Sequence, residues 1–174
     1  MKRTALAFIC TIIISASATA DNTIRFQGEV TDQTCTVSIN GNPSAPLILM
    51  PTVSTSALAT AGATTGMTLF SVDLTRCTAS SSAKAIKTMF VGNNLTSNGR
   101  MGNTGTASNV SLQLVDPANP TTPLDLTGQI GAPGLNLAAN ATSASYNYAV
   151  EYYAEGTATP GSVLGSVQYA VSYQ

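Results

Sequence analysis

Apolar side chains in this chain return at every second position, in short runs that turn residues close off. Phe70, Val72 and Leu74 share one face of such a run, and Val110, Leu112 and Leu114 share another. Tyr146, Tyr148, Val150 and Tyr152 form a longer one. A step of two places these side chains on one face of an extended strand, and β-branched and aromatic residues fit that half-buried pleated surface. Thr34 to Ile39, Leu47-Ile48-Leu49 and Ile86 to Val91 add shorter strand candidates. Asn40-Gly41-Asn42-Pro43 is turn chemistry, and Pro51 stops the Leu47 run. The long spacers, Asn93 to Ser108 and Pro117 to Asn140, are rich in Gly, Ser, Thr, Asn and Pro. Only Ser54 to Ala61 has a helical look, for one or two turns. This pattern predicts an all-β sandwich in one domain, with about six strands after Cys35 and no internal repeat.

Composition removes whole classes of function. Charged residues make up 9% of the 174 positions, and the formal net charge is -1, so there is no basic face for nucleic acid. The chain has no His, which removes His-based triads, His metal ligands and His proton shuttles. No cofactor and no enzymatic activity are expected. Ser81-Ser82-Ala83-Lys84 matches S-x-x-K, but its companion motifs are missing, so it is read as chance. Asp73 and Glu151 sit opposite apolar neighbours on strands and are expected on a solvated face rather than in catalysis.

Residues 1–20 read as an export signal. Lys2 and Arg3 precede an apolar run from Ala5 to Ile14, and Ala18-Thr19-Ala20 supplies the small-x-small cleavage pattern before Asp21. The run is too short to span a bilayer, and no later stretch is long and apolar enough. Cleavage also removes Cys10, leaving Cys35 and Cys77. In an exported chain two cysteines predict one disulfide, and two thiols without His make a poor metal site.

The two ends of the mature chain carry clean strand patterns where frayed, polar ends are usual. Near the start, Ile24, Phe26, Gly28 and Val30 alternate with Arg25, Gln27 and Glu29. Near the finish, Val163, Val167, Tyr169, Val171 and Tyr173 recur, and the stretch from Gly161 to Gln174 holds no Lys, Arg, Asp or Glu. An uncharged apolar strand at a sheet edge invites pairing with another chain, so something must cover it.

On these residues the chain resembles the type 1-like fimbrial subunits assembled by the chaperone–usher route. Phe26-Gln27-Gly28-Glu29-Val30 is similar to the family's donor-strand segment, and the Cys35 and Cys77 pair to its disulfide. Gly161, fourteenth from the end, and penultimate Tyr173 are similar to its terminal motif, and Tyr152 to Gly161 to its approach to that strand. The resemblance implies an immunoglobulin-like sandwich lacking its last strand. It also implies a signal peptide at 1–20, a donor-strand extension at 21–34 and a pilin domain at 35–174.

In such a subunit a neighbour's Ile24, Phe26, Gly28 and Val30 complete the fold, with Gly28 where the pocket is too shallow for a side chain. Burying three apolar side chains at about 1.5–3 kcal/mol each is worth on the order of 5–9 kcal/mol. Head-to-tail contacts of this kind give open filaments. Before assembly, a periplasmic chaperone would contact Val163, Val167, Tyr169, Val171, Tyr173 and the carboxylate of Gln174, with an outer-membrane usher as a further partner. The implied function is a structural shaft subunit of a fimbria on the cell surface, exported through the periplasm and supporting adhesion. The alternative is a minor adaptor or tip-proximal subunit.

Overall fold

A computed structural model describes residues 34–44 and 46–173. The order along the chain is β1 (Thr36–Ile39), a 3-10 turn (Thr55–Leu58), β2 (Thr64–Thr75), β3 (Lys84–Gly92), β4 (Met101–Gly102), β5 (Val110–Asp116), β6 (Asn119–Pro123), β7 (Ala132–Leu137), β8 (Ala144–Ala154) and β9 (Val167–Tyr173). The larger sheet runs β1-β2-β8-β5-β4, with β6 beside β5, and the smaller runs β7-β3-β9. Every pairing is antiparallel.

The inward faces of the two sheets meet in one core. From the larger sheet come Val72, Leu74, Leu114 and Tyr148; from the smaller come Ile86, Phe90, Leu135 and Leu137, all buried. Phe90 stacks edge-on against Tyr148 at 5.3 Å between ring centroids and against Phe70 at 6.3 Å, near the favourable range for aromatic pairs. The buried Tyr148 hydroxyl donates to the Pro133 carbonyl at 2.9 Å, so its polar tip is satisfied inside the core. A smaller cluster of Leu58, Val110, Ala154 and Ala158 fills the end of the sandwich where β2 begins.

The expected sandwich is present, with nine strands among the described residues after Cys35 rather than about six. The additional ones lie in the two spacers. β4 has two residues. β6 is exposed along its whole length and carries Pro120 and Pro123, which an edge strand tolerates because it needs no amide on its free side. β7 edges the smaller sheet and holds Pro133 and Gly134. Two strand expectations need correction. Leu47-Ile48-Leu49 is extended but outside both sheets, and the last strand starts at Val167, because Ser162 and Leu164 are tied to the 103–107 loop instead. The helical expectation holds as the single 3-10 turn, where Ser54 Oγ accepts from the Ser56 amide.

Glu151 departs from the solvated-face expectation. It is 4% exposed and accepts from Gln113 Nε2 at 2.7 Å. Gln113 Oε1 in turn accepts from Arg100 Nε at 3.0 Å, and the Arg100 guanidinium lies over the Tyr153 ring. The outer face of the larger sheet is roofed here by a side chain from a distant loop, which strand periodicity cannot reveal.

Gly134 has φ +114, and a Cβ there would lie 2.3 Å from Cζ of Tyr146. Backbone strain and overpacking each cost about 1–3 kcal/mol. Gly134→Ala should therefore destabilise the domain by about 2–6 kcal/mol, lowering the melting temperature by roughly 5–20 °C for a chain of this size. A thermal melt shifted by under about 2 °C would contradict this packing argument.

Candidate functional site

β9 ends the order of the smaller sheet among the described residues, with β3 on its one paired side. Its alternation divides its residues cleanly. Gln168 and Ala170 are exposed, whereas Val167, Tyr169, Val171 and Tyr173 are half-buried and pack against the core. Opposite β9 runs the extended segment 46–50. Here the alternation recurs: Ile48 and Met50 turn inward, while Leu47 and Leu49 are 78% and 79% exposed.

Between these walls lies an apolar groove of about 340 Å³. Its floor is the core itself, with Phe70, Phe90, Leu112, Leu114 and Val150 reaching it. No charged side chain lines it. Gly165, Ser166, Val167 and Tyr169 line it at the start of β9. A sandwich whose core opens along an edge strand lacks cover at one strand position. The exposed Leu47 and Leu49 on one lip, and Leu164, 58% exposed, at the β9 end, fit that description.

The anticipated terminal residues divide between two places. Val167 and Tyr169 line the groove, and Val171 and Tyr173 continue the same inward face of β9. Gly161 and Val163 instead line an adjoining hollow of about 250 Å³, together with Val53 and Leu58. Gly161 fits there because its Cα lies against the Thr106–Ala107 backbone; a Cβ would come 2.3 Å from the Ala107 amide nitrogen. Ile24, Phe26, Gly28 and Val30, Gln174 and residues 1–20 lie outside the described residues. The Cys35–Cys77 disulfide is formed, joining the approach to β1 with the residues after β2. The far wall at Ile48 and Met50 and the floor at Phe70, Leu112 and Leu114 were not anticipated. The uniformly apolar Leu47-Ile48-Leu49 was the available sequence signal.

The chemistry of this site is apolar. Among the described residues no group of three His, Cys, Asp or Glu side chains could hold a metal. The perturbed carboxylates lie elsewhere and organise turns. Burial alone would raise the Asp125 pKa, but bonds from Thr127, Gln129 and Ile130 outweigh it and lower it. The same balance, with Ser145, Ser71 and the Gly41 amide as donors, lowers Asp73. The groove can accept an extended segment with alternating apolar side chains: backbone pairing on the open edge of β9 and side-chain burial on the floor. No helix among the described residues is long and apolar enough to cross a membrane.

The sequence model of the family described as fimbrial protein matches residues 24–174. The chain is 40% identical over 166 residues to the major fimbrial subunit SMF-1 of Stenotrophomonas maltophilia, covering 91% of this chain and 95% of that one. It is 27% identical over 177 residues to the type-1 fimbrial protein A chain of Escherichia coli, covering 98% of this chain and 93% of the relative. In fold it is similar to the P pilus rod subunit PapA, with a TM-score of 0.58 at 13% identity, covering 80% of this chain and 99% of PapA. It is also similar to a subunit of a chaperone–usher pilus, with a TM-score of 0.59 at 15% identity, covering 89% and 96% of the two chains.

Proposed function

The chain belongs to the fimbrial protein family, and from that premise we propose how this structural subunit of a surface fimbria is joined to its neighbours. The inserted element is residues 24–30 of the next subunit. Ile24, Phe26 and Val30 enter the apolar groove, Gly28 passes over a shallow position, and the segment pairs with β9. Repeating the step makes a head-to-tail polymer that does not close.

One observation carries this reading: the core opens to an uncharged groove flanked by β9, whose four inward side chains, Val167, Tyr169, Val171 and Tyr173, match the spacing of the four donor positions. Before assembly the same groove is the site for a strand lent by a periplasmic chaperone, which passes the subunit to an outer-membrane usher. Residues 1–20 direct export and are removed before Asp21, and residues 21–34 form the donor extension of a pilin domain at 35–174. The shaft position draws on the 40% identity to a major fimbrial subunit.

Deleting Thr23 to Val30 should leave a subunit whose groove is intact but which cannot extend a fibre. Fibre yield, measured as the SDS-resistant ladder from cells carrying only this variant, should fall at least about a hundredfold, since the lost burial exceeds 3 kcal/mol. Fibres of normal length and yield from the deletion would defeat the proposal.

A further inference from the structure

The chain holds two Asn-Gly pairs, Asn40-Gly41 and Asn98-Gly99, and both stand in turns. This dipeptide carries a reaction of its own. The backbone nitrogen of the glycine attacks the side-chain carbon Cγ of the asparagine, since no Cβ on the glycine shields that nitrogen. Asparagine is accordingly among the heat-labile side chains. How fast a given pair reacts in a folded protein depends on what holds the two atoms that must meet.

At Asn40-Gly41 both atoms are held from outside the turn. Asn40 Oδ1 accepts from the Ser71 amide at 2.7 Å, and the Gly41 amide donates to Asp73 Oδ2 at 3.1 Å. Ser71 and Asp73 belong to β2, and the Asn40 amide adds a bond to the Ser71 carbonyl at 3.1 Å. A carboxylate is too weak a base to take a backbone amide proton, so Asp73 fixes the Gly41 nitrogen rather than activating it. For this pair to react, the turn must part from β2.

Asn98-Gly99 has no such anchor. It forms the tip of a narrow hairpin, where the Gly99 amide donates to the Thr96 carbonyl at 2.9 Å and the Thr96 amide to the Arg100 carbonyl at 2.8 Å. Gly99, at φ +73, is the left-handed residue that closes such a turn, and a Cβ built on it would meet nothing within 4 Å. The Asn98 side chain is exposed and makes no hydrogen bond among the described residues. The bond on the reacting nitrogen comes from within the tip itself, so opening the tip leaves both sheets paired.

We infer that Asn98 is a self-modification site. The Gly99 nitrogen, having lost its proton to solvent base, bonds to Asn98 Cγ; the Cγ–Nδ2 bond breaks and ammonia leaves, closing a cyclic imide. Water then opens the ring at either carbonyl. Attack at Cγ gives aspartate, and attack at the Asn98 backbone carbonyl gives isoaspartate, with the main chain rerouted through Cβ and Cγ. The net exchange is one water for one ammonia, with no oxidant or reductant. Either product puts a carboxylate on the hollow of about 170 Å³ that Asn98 shares with Arg100 and Gln113. Arg100 is the cation beside it: its guanidinium lies 3.8 Å from Glu155 and donates to Gln113 at 3.0 Å. The modification adds a negative charge to the outer side of the larger sheet and leaves the groove and β9 untouched.

Peptide mapping by mass spectrometry tests this on the mature chain, folded with its disulfide intact and aged in mildly alkaline buffer. The same chain unfolded in urea under reducing conditions is the reference. In the folded protein, aspartate and isoaspartate should accumulate at Asn98 at least about tenfold faster than at Asn40, and faster as the pH rises. In the unfolded chain the two pairs should react at similar rates. Equal rates in the folded protein overturn the inference. So does a gap that persists on unfolding, since the fold would then not be its source. Product at Asn98 that is aspartate alone also overturns it, because opening the imide yields both isomers. A variant probes the anchor: Asp73→Ala frees the Gly41 amide and should speed the reaction at Asn40 without changing that at Asn98. An unchanged rate at Asn40 in the folded variant overturns the anchoring argument, and the comparison within the unsubstituted chain stands whether or not that variant folds.

Discussion

Gly28→Arg is expected to stop fibre growth while leaving residues 34–173 folded. The groove that must receive this position is lined without a charge, and its floor is the hydrophobic core. An arginine placed there either carries its guanidinium into that floor or holds the strand away from β9. The first route leaves a buried charge without a partner, which costs several kcal/mol. The second forfeits pairing along the strand and the burial of its apolar neighbours. Either loss exceeds about 3 kcal/mol, which corresponds to at least about a hundredfold in assembly. The substituted residue is not among residues 34–173, which hold the nine described strands, so the variant should keep its disulfide and still accept an unsubstituted donor segment. A synthetic peptide of residues 21–33 with wild-type sequence should bind the variant's groove, and the same peptide with the substitution should not. Normal polymerisation by the variant alone would falsify the shallow-position argument.

The parts of the fold legible in the sequence are those where one strand face is buried and the other is not. Phe70, Val72 and Leu74 in β2, Val110, Leu112 and Leu114 in β5 and the tyrosines of β8 follow a period of two because one face meets the opposite sheet. β6 and β7 left no such trace. An edge strand exposed throughout, as Asn119–Pro123 is, needs no apolar alternation, and Pro123 and Pro133 read as turn residues. The candidate site divides the same way. The inward face of β9 is a local pattern, so Val167, Tyr169, Val171 and Tyr173 could be named in advance. The floor is a product of topology: Phe70, Phe90, Leu112 and Val150 come from four strands and meet only when the two sheets close. Val163 shows the limit of the pattern: it lies before β9 and packs against both the main core and the smaller cluster around Leu58 and Ala158.

Removing the disulfide, by Cys35→Ser with Cys77→Ser, should cost about 4 kcal/mol. The two residues are 42 apart in sequence, and closing a loop of that length restricts the unfolded chain by about this amount in the chain-entropy model. The native fold adds a local reason. β1 has four residues and, among the described residues, stands at the edge of the larger sheet and pairs with β2. The disulfide pins the start of β1 to the end of β2, and β1 leads directly into the segment 46–50 that walls the groove. With an urea m-value of about 2 kcal/mol/M for a domain of this size, the unfolding midpoint should drop by about 2 M. The loss should also reach the site: with β1 free to fray, Ile48 and Met50 lose their anchor, and binding of a donor peptide should weaken more than a mutation of equal stability cost in the Leu58 cluster weakens it. Leu58→Ala, at about 2–5 kcal/mol, supplies that control. Equal weakening by the two variants would reduce the disulfide to a general brace; a midpoint shift below about 0.5 M would remove even that role.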